Sequence, residues 1–285
     1  MPDFTVRLVE SKMPIYLSLD TDFVLKKLQH ADILKRILFL DKTTSTNDIA
    51  KTIVEEEGGH GTLIIAEEQT AGRGRKSNKW ISARGKGLYF TLILGVPVTV
   101  SIQLITLAAG VAVAKAICSS CSLSTGLKWP NDVYIGERKV AGILTEAVTK
   151  GHETVKVLVG VGINVNNDLT DFDTETRLTA TSLKIALGIE VPREEILVSF
   201  VEKFDEMHRK LLEGDSSQIV KEWLQMALYK GEELEVQTEK TSIVGKFVGV
   251  NEAGALIIRD HEQNLHEIWA VDVIKCRKTS LKDYS

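Results

Sequence analysis

Apolar positions along the chain first form short continuous blocks: Arg36-Ile-Leu-Phe-Leu40, Thr62-Leu-Ile-Ile-Ala66 and Leu88-Tyr-Phe-Thr-Leu-Ile-Leu94. Blocks this short, bounded by turn residues, predict buried strands. Between the first two, Thr43-Thr-Ser-Thr-Asn47 supplies helix-capping residue types, and Asn47 to Glu57 predicts a helix stopped by Gly58-Gly59-His60-Gly61. Ser101 to Ser119 predicts a mostly buried helix with small residues at Ala108, Ala109, Ala112, Ala114 and Ala116.

Leu127-Lys-Trp129, Asp132-Val-Tyr-Ile135, Lys139 to Ala147 and Val155 to Val165 then predict strands, the last three as a meander. Residues 166–180 read as a polar loop. Helices are expected at 181–187, 192–213 and 215–229, with Pro192 in the first turn of the second. After Lys230-Gly231 the helical period stops. Short runs at 234–238, 243–248, 255–258 and 267–271, with a turn at Asn251-Glu-Ala-Gly254, predict a small all-β module. Ahead of all this, Asp20 to Leu34 predicts a helix.

The order predicts an α+β fold: a mixed, mainly antiparallel sheet with helices, then a small β-barrel. The expected boundaries are an N-terminal extension over 1–34, a larger domain over 35–229, the β module over 230–277 and a tail over 278–285. Gly87 to Ala114 contains no charged residue, long enough to raise a membrane span. Gly95 and Pro97 interrupt it, and Thr99, Ser101, Gln103 and Thr106 dilute it, so strand, turn and buried helix is the expectation.

Composition adds exclusions. A net charge of -4 and a pI near 5.9 argue against a general nucleic-acid coat. The N-terminus lacks the pattern of a secretory signal, and three cysteines suit a reducing, cytoplasmic setting. Cys118 and Cys121 form a lone C-x-x-C, without the second ligand pair that zinc normally requires.

Against that acidic background, six basic residues and no acidic one lie between Arg73 and Lys86. Within Gln69-Thr-Ala-Gly-Arg-Gly-Arg-Lys-Ser-Asn-Lys-Trp80, the glycines let backbone N–H groups surround an anion, and the arginines add forked donors. The stretch is neither a dinucleotide fingerprint nor a Walker A loop. Three further clusters accompany it: Thr44-Ser45-Thr46-Asn47; Lys128-Trp-Pro-Asn-Asp132 with Lys139 and Ala141-Gly-Ile-Leu-Thr-Glu146; and Val159-Gly-Val-Gly-Ile-Asn164. Taken singly, these also fit a helix cap, a Pro-Asn turn and close backbone approach in a strand.

In this order, the clusters closely resemble the biotin protein ligase family over 36–275. The resemblance implies a biotin/lipoate ligase-like catalytic domain and an SH3-like C-terminal barrel. It implies that MgATP activates biotin to biotinyl-5′-AMP, which a lysine of a biotin carboxyl carrier domain then attacks. Biotin, ATP and Mg²⁺ are then substrates, with no tightly bound prosthetic group. By position, Lys139 and Arg75 are the expected catalytic pair. Ser45, Thr46, Asn47, Gln69, Arg73, Gly74, Arg75, Lys139, Gly142 and Gly162 would contact biotin. Arg75, Trp80, Lys128, Asn131 and Asn164 would contact the nucleotide, with Asn131 and Asp132 near the Mg²⁺.

The chain departs from the family's loop at Ser77 and Asn78, where a glycine and a basic residue are usual. Residues 1–34 cannot supply the winged helix of members that also repress transcription. The competing expectations are a lipoate or octanoate ligase or transferase of the same fold, and a biotin-responsive regulator. No nucleic-acid or membrane partner is expected, and an exposed sheet edge leaves room for a homodimer.

Overall fold

The computed structural model describes the backbone of residues 5–8, and residues 18–97, 99–150, 153–239 and 241–279. The rest of the expected N-terminal extension and tail lies outside the described residues. In chain order the elements are β1 (Thr5–Leu8), α1 (Thr21–Leu28), β2 (Arg36–Leu40), α2 (Thr46–Glu57), β3 (Thr62–Ala66), β4 (Leu88–Leu94), α3 (Ile102–Cys121), β5 (Gly126–Lys128), β6 (Asp132–Ile135), β7 (Arg138–Lys150) and β8 (Glu153–Ile163). Then come α4 (Thr176–Thr179), α5 (Leu183–Leu187), α6 (Arg193–Glu213), α7 (Ser216–Met226), β9 (Glu233–Thr238), β10 (Ser242–Val250), β11 (Leu256–Arg259), β12 (Leu265–Ile268) and β13 (Val273–Lys278).

Eight strands form one mixed sheet in the order β1-β2-β3-β4-β8-β7-β6-β5. Only β1–β2 and β2–β3 pair in parallel. The remaining neighbours are antiparallel, and β6-β7-β8 is the expected meander. Because side chains alternate across a strand, each strand serves two faces. Leu88, Phe90, Leu92 and Leu94 of β4, with Val157, Val159, Val161 and Ile163 of β8, join the larger core. α3 lies in that core with α6 and α7, and its alanines at 108, 109, 112, 114 and 116 are fully buried. The chargeless stretch is thus β4, a turn and a core helix. α3 has the length and hydropathy of a span, but 72% of its apolar window is buried inside the protein.

The opposite face carries a smaller apolar cluster in which α2 supplies Ala50, Ile53 and Val54 against Leu38, Ile64, Ile93 and Leu158. Thr91, Gly142, Glu146, Gly160 and Gly162 fall outside both apolar clusters. Their strand positions place them on this second face, where glycines leave room above the sheet.

The helix expected over 20–34 is confined to α1. Asp20 caps it by accepting a hydrogen bond from Phe23 N–H. Beyond Gln29 the chain turns inward. Ile33 N–H donates to Asp205 at 3.1 Å, and Ile33 and Leu34 enter the core. Pro192 stands at the N-cap of α6, one position earlier than expected.

The C-terminal strands form an antiparallel sheet ordered β12-β11-β10-β9-β13. Its end strands β12 and β13 are not paired with each other, so the described part of the expected barrel is an open five-stranded sheet. Trp129 Nε1–H donates to Gly254 O at 3.1 Å, tying this sheet to the Lys-Trp-Pro-Asn-Asp turn.

Buried His208 and half-buried His60 give the fold a pH dependence. Burial lowers the His208 pKa. Burial first, then Lys35, His208 and Lys156, lowers that of His60. Both favour the neutral ring, so their stability contribution is intact above the ordinary value near 6.5 and is lost as pH falls below it. Thermal unfolding followed from pH 7.5 to 5.5 should show a falling Tm, and His208→Leu should flatten that slope.

Candidate functional site

The site forms where the β2–α2 turn, the basic loop and the glycine face of β7–β8 meet. Ser45 is the N-cap of α2, yet its side chain makes no capping hydrogen bond. Gln69 takes that role from the neighbouring strand end: its Oε1 accepts from Thr46 N–H at 2.8 Å and from Thr46 Oγ1–H at 3.1 Å. The Gln69 amide then donates to Ser82 Oγ at 3.0 Å. Thr91 Oγ1, fully buried, lies 2.8 Å from Thr46 Oγ1 and 2.6 Å from Asn47 Oδ1. The Asn47 amide donates to Glu146 Oε2 at 2.5 Å. Such a network fixes side chains before a ligand arrives, lowering the ordering cost of binding.

The basic loop closes on itself. Gly74 N–H donates to Asn78 O at 2.7 Å, and Trp80 N–H to Gly72 O at 2.9 Å. Arg73 pairs with Asp48 at 2.6 Å and Glu146 at 3.3 Å. Arg75 turns toward the C-terminal sheet, donating to Ala270 O and, at 3.3 Å, to Val273 O. Burial pushes its pKa down from the usual guanidinium value, opposed by Asp132 and Cys276. Lys76 pairs with Glu239 at 3.0 Å. The loop is therefore anchored both to α2 and β7 and to the C-terminal module.

Trp80 lies flat over Gly142 and Gly162, which face each other in the β7–β8 register. A Cβ at Gly142 would sit 3.1 Å from the indole, and one at Gly162 would overlap it. Gly162→Ala should therefore displace Trp80. Overpacking of this kind costs about 1–3 kcal/mol, so affinity for a ligand covered by Trp80 should fall by about ten-fold or more. Equilibrium binding and tryptophan fluorescence will check this.

Lys139 Nζ pairs with Asp132 at 2.6 Å and lies 5.4 Å from the Trp80 ring centroid. Lys128 Nζ sits 3.5 Å from Tyr134 Oη, whose pKa is raised by burial and secondarily by Asp132. The Asn131 amide donates to Ile143 O at 2.9 Å, leaving its side-chain oxygen available. Ser45, Thr46, Asn47, Gln69, Arg73, Gly74, Arg75, Trp80, Lys128, Asn131, Asp132, Lys139, Gly142 and Gly162 all line one cavity of about 260 Å³. Asn164 does not: it lines an adjoining cleft behind Trp80, and its buried amide donates to Thr181 O at 3.0 Å.

Sequence reasoning missed one wall of the cavity. Val273, Ile274, Lys275 and Cys276 of β13 line it, together with Lys79. Val273-Ile-Lys-Cys-Arg-Lys278 mixes charge with few apolar residues, so periodicity gave no strand signal there. Burial pushes the Cys276 thiol up to about 11, against the pull of Lys128 and Arg75. It is a neutral wall residue. Thr91 gained its place beside Thr46 and Asn47 only through the sheet register. Among the described residues, no group of three His, Cys, Asp or Glu side chains is arranged to hold a metal ion.

The cavity combines a neutral hydrogen-bonding end, a cationic centre at Lys139 and Lys128, and an aromatic face at Trp80. It suits a ligand with a polar uncharged head and an anionic end beside a phosphate. Residues 39–164 match the model of the biotin/lipoate A/B protein ligase family. The chain is 33% identical to a bifunctional ligase/repressor BirA of Bacillus spizizenii, over 84% of this chain and 74% of that protein. It is 30% identical to a biotin–[acetyl-CoA-carboxylase] ligase of Paracoccus denitrificans, over 77% and 92%. A solved biotin protein ligase from Aquifex aeolicus, in complex with biotin and ATP, superposes with a TM-score of 0.77 at 32% identity. It covers 86% of this chain and 100% of that one. The signature residues gathered in one cavity, the shared fold and these identities converge: the chain belongs to the biotin protein ligase family.

Proposed function

We propose that the protein activates biotin with MgATP and transfers it to a lysine of a biotin carboxyl carrier domain. The observation that carries this reading is Lys139. Its ammonium group sits in the same cavity as the Thr46–Gln69–Asn47 network, beside the Gly142–Gly162 floor. In the first step a carboxylate oxygen of biotin attacks the α-phosphorus and the bond to pyrophosphate breaks. Two anions meet there, so fixed positive charge lowers the barrier. In the second, the acceptor ε-amine attacks the acyl carbon, AMP leaves with the acyl–oxygen electron pair, and the amine proton passes to solvent.

In this reading Ser45, Thr46, Asn47 and Gln69 bind the ureido head, and Arg73 and Gly74 close the loop over it. Lys139 bridges the carboxyl oxygen and the α-phosphate. Lys128 and Arg75 neutralise the phosphates, and Trp80 covers the adenine. Asn131 and Asp132 would contact a magnesium ion that arrives with ATP and offsets phosphate charge. Binding frees Lys139 from Asp132, while Arg75 keeps its hold on the carbonyls of Ala270 and Val273 and closes the loop beside the phosphates. Asn164 acts through the shape of the β8 end.

Residues 35–229 form the catalytic domain. The module over 230–277 is read as an SH3-like barrel that serves as one wall. A cytoplasmic setting fits the three free cysteines, and a net charge of -4 favours no nucleic-acid partner. A homodimer would show as a mass doubling in sedimentation. Incorporation of labelled biotin into a carrier domain, beside labelled lipoate, tests the function. Lipoate incorporation without biotin would overturn it.

A further inference from the structure

Nine large apolar side chains are exposed among the described residues, and four of them fall between Leu265 and Ile274. Val271 is 75% exposed and Trp269 39%. Three of the four, Trp269, Val271 and Ile274, border the openings of the site. Val271 lines the cleft beside the basic loop and Glu146. With Trp269 it also lines a groove of about 480 Å³ against Ser101, Gln103 and Thr106. Ile274 reaches the central cavity itself. Scattered apolar residues are ordinary on a surface, whereas several around one opening mark a partner's footprint.

Resting on the activity proposed above, we propose that Trp269, Val271 and the outer face of β13 dock the acceptor domain. The rim calls for an acceptor domain with apolar groups flanking its lysine and an acidic fringe around them. An amine carried on a short side chain reaches the cavity only if its backbone settles on the rim. Biotin and ATP need no apolar apron outside the cavity. Charge points the same way: Lys79 and Lys275 line the mouth and have no ion-pair partner among the described residues, whereas Lys76 is balanced by Glu239. A cationic mouth favours an acidic partner face.

The test separates the half-reactions in Val271→Asp, Val271→Lys and Trp269→Ala. Biotinyl-AMP formation is read without acceptor, its capture by hydroxylamine reports a small nucleophile, and transfer to the carrier domain reports docking. Val271→Asp should lower kcat/KM for the carrier about ten-fold or more. Adenylate formation and hydroxylamine capture should stay within about two-fold, since no rim contact is involved. Val271→Lys should cost less than Val271→Asp, and Trp269→Ala should repeat the selective loss.

Unchanged carrier kinetics would overturn the docking proposal, as would an equal loss with hydroxylamine. So would a dimer that Val271→Asp dissolves while transfer stays intact, because the rim would then belong to a second copy of the chain. Failure of the wild type to form biotinyl-AMP would overturn the activity itself, and would be seen before any carrier is added.

Discussion

Lys139→Ala should slow adenylate formation by about 10²–10³-fold, the usual cost of removing one preorganised charge-stabilising donor. Biotin affinity should change by less than about ten-fold, because the ureido end is proposed to bind a separate network, the one joining Gln69, Thr46, Thr91 and Asn47. The ammonium at position 139 is poised between Asp132 and the Trp80 face. In the proposed reading this is where negative charge builds as carboxylate and phosphate meet. Pre-steady-state pyrophosphate release, set beside equilibrium biotin binding, separates the two effects. Equal loss of both would make Lys139 a binding group.

Arg75→Gly should release biotinyl-AMP about 10²-fold faster, and lysines of bystander proteins should then acquire biotin. The wild-type guanidinium joins the basic loop to the backbone of Ala270 and Val273. Replacing it with glycine removes two charge-assisted hydrogen bonds and frees this part of the loop from the C-terminal module. Charged hydrogen bonds contribute about 1.5–3 kcal/mol each, enough for the expected change in release rate. The adenylate is a mixed anhydride, so its retention depends on a closed loop that excludes water. Dissociation of labelled adenylate, with biotin blots of an added bystander protein, reads both consequences. A variant that keeps its adenylate and labels only the carrier would move the retaining role away from Arg75.

These two substitutions act on different anchors of one cavity, so their effects separate. Lys139 is held within the eight-stranded sheet. Arg75 reaches across to the C-terminal module. The first should change the chemical step, the second the lifetime of its product.

Much of this arrangement was legible in the chain. Apolar blocks with turn residues at their ends placed β2, β3, β4 and β6 closely, because buried strands leave uninterrupted apolar runs. Capping residues and Gly58 bounded α2, and the basic loop, Lys128–Asp132 and Lys139 named the cavity's charged residues. Strand β13 escaped, because its pairing with β9 and its place in the cavity wall depend on tertiary packing rather than on periodicity.

Orientation was settled only by the assembled fold. The sequence by itself determined which residue types meet: hydroxyl and amide groups, arginines and lysines, and small residues at Gly142, Gly160 and Gly162. The sheet register decided that those glycines share one face with Thr91 and Glu146. Close packing of the C-terminal module decided that Arg75 points to Ala270 and Val273, and the segment between α4 and α5 decided that Asn164 turns inward to Thr181. A side chain's identity is local, but its direction depends on which distant backbone groups need a partner once water has been excluded.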